Sequence, residues 1–128
     1  MGLNESHAVA AIAVSDMGRA REFYEGVLGL SAGEERADGG IRYPCGGAST
    51  VHVYPSPANA GSSTATLVGF DVEDVEGTVD ELAARGVVFE QYGGGPIETN
   101  EKGIARIGDG EGAWLKDPDG NILGIVLA

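Results

Sequence analysis

Few side chains in this sequence can do chemistry. His52 lies in the alternating run Thr50-Val51-His52-Val53-Tyr54, and an imidazole, whose ordinary pKa is near working pH, suits a general acid or base. The competing reading is a histidine hydrogen-bonded in a wall. Asp71 ends the run Leu67-Val68-Gly69-Phe70-Asp71 and is either a polar group facing a ligand or a rim residue. Cys45, the single cysteine, cannot form an internal disulfide, and no Cys-x-x-Cys pair exists to hold zinc. Between Pro44 and Gly46 it is a candidate nucleophile that reads better as a small packing residue. Asp117-Pro118-Asp119-Gly120 offers two carboxylates, but Asp, Pro and Gly occupy the positions a type I turn prefers, and the further oxygen ligands of a calcium loop do not follow. Tyr54 and Trp114 could stack on a flat ligand. Phe23 and Tyr24 read as helix packing residues.

Composition narrows the partners. The 128 residues suit one domain, and 20 acidic against 8 basic side chains give a formal charge of −12. Such a chain is repelled by phosphate backbones and anionic lipid, so neither nucleic acid nor membrane is an expected partner. The longest apolar run, residues 8–14, is about a third of a membrane span and follows no basic segment, which predicts a cytoplasmic protein. The 22 glycines, without a Gly-X-Y period, predict many tight turns.

The elements that must position these residues come in two copies, about sixty residues apart. Ala11-Ile12-Ala13-Val14-Ser15-Asp16-Met17 precedes a helical stretch ending at Gly29. Val68-Gly69-Phe70-Asp71-Val72-Glu73-Asp74-Val75 precedes another ending at Gly86. Met17, Ala20, Phe23, Val27 and Leu28 recur at helical spacing, as do Val75, Val79, Leu82 and Ala83. Ser15 or Asp16, and Asp74, can cap the starts, and the glycines supply the left-handed stops.

A strand precedes each helix, and three extended stretches follow it: 30–35, 41–45 and 50–54 in the first copy, then 87–91, 104–107 with 113–116, and 122–127 in the second. The fold class is therefore α+β with paired βαβββ modules. The boundaries are module 1 at about 5–55, an extended Pro/Ser/Gly-rich connector at about 56–63, and module 2 at about 64–128. Residues 93–103 read as a loop, either a lid or a mobile segment. Alternation turns Val68, Phe70 and Val72 toward the helix and Leu67, Gly69 and Asp71 away from it. It likewise groups Val9, Ala11 and Ala13 with Thr50, His52 and Tyr54.

Paired βαβββ halves, Val-x-Asp opening each helix, Phe-Tyr-x-x-Val-Leu-Gly-Leu at 23–30 and Asp-Pro-Asp-Gly-Asn at 117–121 resemble the vicinal oxygen chelate superfamily of glyoxalase I, bleomycin-resistance proteins and extradiol dioxygenases. The tracts at 41–47 and 113–121 are similar to small bacterial members. The resemblance covers nearly the whole chain. It implies two curved sheets forming a cup for a small molecule, commonly in a homodimer.

It also implies four metal-ligand positions, which fall on Val9, Leu67, His52 and Gly124. Three of the four have no donor side chain, so no metal and no cofactor are expected. His7 would supply a second nitrogen only after a register slip. Two functions follow. One is metal-independent binding of a hydrophobic or aromatic metabolite or drug, in a sequestration or resistance role, by Val9, His52, Tyr54, Leu67, Asp71 and Trp114. The other is a glyoxalase-like lyase or isomerase, or a dioxygenase-type enzyme, with a non-standard site using His52 and Asp71 as catalytic candidates.

Overall fold

The computed structural model describes residues 2–127. The chain divides into two compact units between Ser62 and Ser63, and each repeats strand, helix and three strands. The first contains β1 (Val9–Val14), α1 (Met17–Arg21), β2 (Glu34–Glu35), β3 (Ile41–Pro44) and β4 (Thr50–Pro55). Its sheet order is β1-β4-β3-β2, with β1 parallel to β4 and the other pairs antiparallel. The second contains β5 (Thr66–Asp71), α2 (Val75–Ala84), β6 (Ile104–Ile107), β7 (Gly110–Lys116) and β8 (Ile122–Leu127), in the order β5-β8-β7-β6 with β5 parallel to β8.

The caps are those the composition suggested. Asp16 accepts from the Arg19 N–H at 3.1 Å, and Asp74 from the Gly77 N–H at 3.0 Å, so each carboxylate satisfies a donor the helix leaves orphaned. Gly29 and Gly86 stop the helical segments at φ of 78° and 97°. Beyond Arg21 the first helix widens into a π-helical turn, Glu22–Val27, with the Leu28 N–H donating to the Phe23 carbonyl at 2.9 Å. The inward residues of this helical stretch are Ala20 and Tyr24, while Phe23 is only half-buried.

In the first unit Ala20 and Tyr24 are buried with Ile12, Val14, Ile41, Tyr43, Val51 and Val53, and the Tyr24 and Tyr43 rings stack at 6.3 Å. The Tyr43 hydroxyl donates to Glu25 at 2.7 Å, and burial together with that carboxylate pushes its pKa up. In the second unit Val75, Val79 and Leu82 are buried with Leu115, Leu123 and Ile125, whereas Ala83 is exposed.

Four expectations differ. Only Glu34–Glu35 of the 30–35 stretch pairs as a strand. Residues 104–107 and 113–116 belong to two antiparallel strands, β6 and β7, turned at Gly108 with φ of 60°. Residues 87–91 form no strand, because the Glu90 N–H makes a single bond to the Trp114 carbonyl at 2.8 Å and Val88 is exposed. The apolar start Val87-Val88-Phe89 that suggested a strand there has no partner ladder to join. The connector winds through turns instead of running extended: the Asn59 and Ala60 N–H groups donate to the Ser56 carbonyl, and Gly61 has φ of 66°.

Asp117 takes the turn role. Its Oδ1 accepts from the Asp119 and Asn121 N–H groups, both at 2.9 Å, and its Oδ2 from the Asn121 side-chain amide at 2.8 Å. Both side chains are buried. The carboxylate is thus committed to shaping the β7–β8 hairpin.

Candidate functional site

In the second unit the register aligns Gly69, Gly124 and Trp114 across β5, β8 and β7. Gly112 and Gly124 leave room for the indole. A Cβ on Gly124 would lie 3.6 Å from Trp114 Nε1, and one on Gly112 would lie 3.2 Å from Cη2, so the ring spans both. Trp114 and Ile122 line a cavity of about 560 Å³ whose walls are Thr64, Ala65 and Thr66 on one side and Gln91, Tyr92, Gly93, Gly95, Pro96 and Ile97 on the other. Tyr92 meets Trp114 edge-on, with ring centroids 5.7 Å apart. The loop is closed at its base by Tyr92 and Thr99, each donating its backbone N–H to the other residue, at 2.8 and 2.9 Å. An apolar, aromatic concavity with a few hydroxyl and amide groups is the usual composition of a small-molecule pocket.

In the first unit a polar row crosses the sheet, with Glu34, Arg42, His52 and Ala11 opposite one another on β2, β3, β4 and β1. His52 Nε2 lies 2.7 Å from Asp38 Oδ2, and Asp38 Oδ1 accepts from the Gly40 N–H at 2.8 Å. The His52 hydrogen bond, followed by that amide, lowers the Asp38 pKa. An ionised Asp38 accepts only, so Nε2 carries the proton in this pair. His52 Nδ1 is buried and has no partner. Tyr54 stacks on His52 with centroids 5.7 Å apart and rings 7° from parallel.

The expected site residues are distributed accordingly. Val9 is exposed and pairs with Thr50, while His52 and Tyr54 are half-buried on the same face. Leu67 falls at a bulge between Thr66 and Val68, so the alternation that turned it toward the ligand face breaks there, and Thr66 lines the cavity instead. Asp71 is exposed at the end of β5, outside that lining. Trp114 is the expected residue the cavity uses. Cys45 is half-buried, with its thiol pKa pushed up by burial, the opposite of an activated nucleophile.

Sequence reasoning missed Asp38, Tyr92, Pro96, Ile97 and Thr66. Asp38-Gly39-Gly40 reads as a turn, and the Gly-rich tract around 93–95 as a loop, but neither pattern says which way its side chains face.

The side chains do not fit the superfamily's divalent ion. Val9 and Leu67 offer no lone pair, the Gly124 position borders the indole, and His52 is engaged by Asp38. Among the described residues no three His, Cys, Asp or Glu side chains gather as a metal-holding group.

Two βαβββ units with a concavity in each define a scaffold of the glyoxalase type. The chain belongs to the Glyoxalase/Bleomycin resistance protein/Dioxygenase superfamily, whose sequence model matches residues 6–125. Solved structures share the fold. TnmS3, an antibiotic binding protein from Streptomyces sp. CB03234, is 24% identical over 94% of this chain and 93% of its own, with a TM-score of 0.67. A glyoxalase/bleomycin resistance protein from Catenulispora acidiphila DSM 44928 is 21% identical over 95% and 97%, at 0.68. Integron cassette protein HFX_CASS4, from the mobile metagenome of Halifax Harbour sewage outfall, is 20% identical over 97% and 99%, at 0.69. No curated protein matches the sequence. Among the described residues no helix is long and apolar enough to cross a membrane.

Proposed function

We propose that this protein is a metal-independent binder of a flat, apolar or aromatic small molecule, serving in sequestration or resistance. The observation that carries the reading is the Trp114 cavity: an indole held over Gly112 and Gly124, faced by Tyr92 and walled by Pro96 and Ile97. A ligand stacked there gains about 25 cal/mol for each Å² of apolar surface it covers. The Trp114 indole N–H has no acceptor among the described residues and would favour a ligand with a carbonyl or ether oxygen. A donor left unpaired beneath a bound ligand costs about 1–3 kcal/mol, which gives selectivity. The description of TnmS3 as an antibiotic binding protein supports a small-molecule ligand. Within the first unit the shared face of Val9, His52 and Tyr54 is proposed as a contact surface of its own, and within the second Asp71 ends β5 as a polar rim.

Trp114 is the single tryptophan, so its fluorescence reports on the cavity directly. Titration with 1-aminoanthracene, a neutral flat aromatic probe, should quench Trp114 saturably and raise the melting temperature. Tyr92→Ala should weaken the probe several-fold. Quenching that stays linear with probe concentration, without any thermal shift, would remove the reading.

A second reading is supported by the Asp38–His52 pair. Asp38 accepts from Nε2 and so orients the imidazole, an arrangement suited to a metal-free acid–base reaction. Here a bound ligand is chemically changed on standing, and His52→Gln stops the change while keeping binding. Mass spectra in which every bound compound is recovered intact would sink it.

A further inference from the structure

We propose that the first unit holds a binding site for a small organic carboxylate, anchored by Arg42 with Thr50 as a second donor. The proposal does not rest on the Trp114 cavity. Arg21, Arg36, Arg85, Lys102 and Lys116 each pair with a carboxylate, as expected where acids outnumber bases 20 to 8. Arg42 is different. It is half-buried, its Nε is fully buried without a hydrogen-bond partner, and no carboxylate among the described residues pairs with it.

The carboxylate best placed to neutralise it is diverted. Glu34 stands directly opposite Arg42 in the β2–β3 register, yet its Oε1 takes Arg36 Nη1 at 3.0 Å. Arg36 therefore occupies the acid that would otherwise quench Arg42. A guanidinium stays charged at any working pH, and a half-buried unpaired charge is costly, so this arrangement favours an anion brought from outside.

The space for that anion is a cavity of about 600 Å³, bordered by Arg42, Arg36, Glu34, Thr50, Pro44 and Gly33. Its Gly33 wall is drawn close: a Cβ there would lie 2.5 Å from Ile41 Cγ2 and 2.6 Å from the Arg42 carbonyl oxygen. Thr50 lies on the same sheet face as Arg42, opposite Pro44, and its hydroxyl has no partner among the described residues. The guanidinium fork matches a carboxylate with two parallel N–H···O bonds. Glu34 at the border penalises ligands carrying several charges and selects a monoanion.

The test is an NMR titration of the full ¹⁵N-labelled chain at constant ionic strength, following the Arg42 Nε–H and Thr50 amide signals. Sodium benzoate is one probe, and benzamide, its neutral isostere, is the other. Benzoate should move both signals saturably, while benzamide moves neither. Arg42→Lys keeps the charge but loses the fork, and should weaken benzoate about tenfold. Arg42→Gln should abolish the response, and Thr50→Val should weaken it. Equal responses to benzoate and benzamide, a linear shift into tens of millimolar, or a benzoate response that survives in Arg42→Gln would each overturn the proposal. If Arg42→Gln fails to fold, the wild-type probe pair and Arg42→Lys decide the matter.

Discussion

The Trp114 indole spans two glycines: its Nε1 would lie 3.6 Å from a Cβ on Gly124, and its Cη2 3.2 Å from one on Gly112. The position at which the superfamily's metal enzymes carry a ligating acid is thus bordered here by an aromatic ring.

That contact predicts a size threshold at Gly124. Alanine meets ordinary van der Waals distances, 3.4 Å to Thr66 Cγ2 and 3.6 Å to Trp114 Nε1, so Gly124→Ala should stay within about 1 kcal/mol of wild type and gain from a stiffer unfolded chain. Gly124→Leu must displace the indole and should cost about 1–3 kcal/mol. Urea unfolding followed by Trp114 fluorescence measures both. Equal stability of the two variants would show that the ring does not occupy this space.

The Asp38–His52 pair predicts a stability that disappears in acid. The folded-state pKa of Asp38 lies below its ordinary value because His52 and the Gly40 N–H bond its charged form. The contribution is therefore complete above the unfolded carboxyl pKa of about 4 and is lost as pH falls through the lower folded value. Melting temperatures of wild type and Asp38→Asn should differ near neutrality and converge below about pH 4. A gap independent of pH would mean that the charge of Asp38 is immaterial.

Self-association is expected from the strand edges. Within their own sheets β1 and β5 are outer strands of six residues each, and outer strands need cover. Light scattering should give about twice the 13.1 kDa chain mass at micromolar protein. Because two chains of charge −12 repel each other, added salt should not loosen the dimer. A monomer mass at these concentrations removes the expectation.

Metal-dependent glyoxalase chemistry should be undetectable. The resemblance puts Val9, Leu67 and Gly124 at three of the four ligand positions, and among the described residues no group of three His, Cys, Asp or Glu gathers to hold an ion that stabilises an enediolate. Untagged protein should contain less than one equivalent of zinc, nickel, manganese or iron and should not turn over the methylglyoxal–glutathione adduct. Activity lost to a chelator and restored by one of these ions would overturn the expectation.

The repeat, the caps at Asp16 and Asp74, the stops at Gly29 and Gly86 and the Asp117 hairpin were all legible in the sequence. Each depends on residues within a few positions of one another, and local sterics and hydrogen bonding suffice to dictate them. The same holds for the sheet faces wherever alternation is unbroken, as from Thr50 to Tyr54. The site depends on pairings that no local pattern encodes. Asp38 reaches His52 across fourteen positions because of the β3–β4 register, and Glu34 is drawn from Arg42 by Arg36. A one-residue bulge exchanges Leu67 for Thr66 at the cavity wall, and residues 87–91 lack a ladder although their Val-Val-Phe start suits a strand. Register and loop path are set by the sum of many weak long-range contacts, so only the folded chain decides which side chains face the ligand.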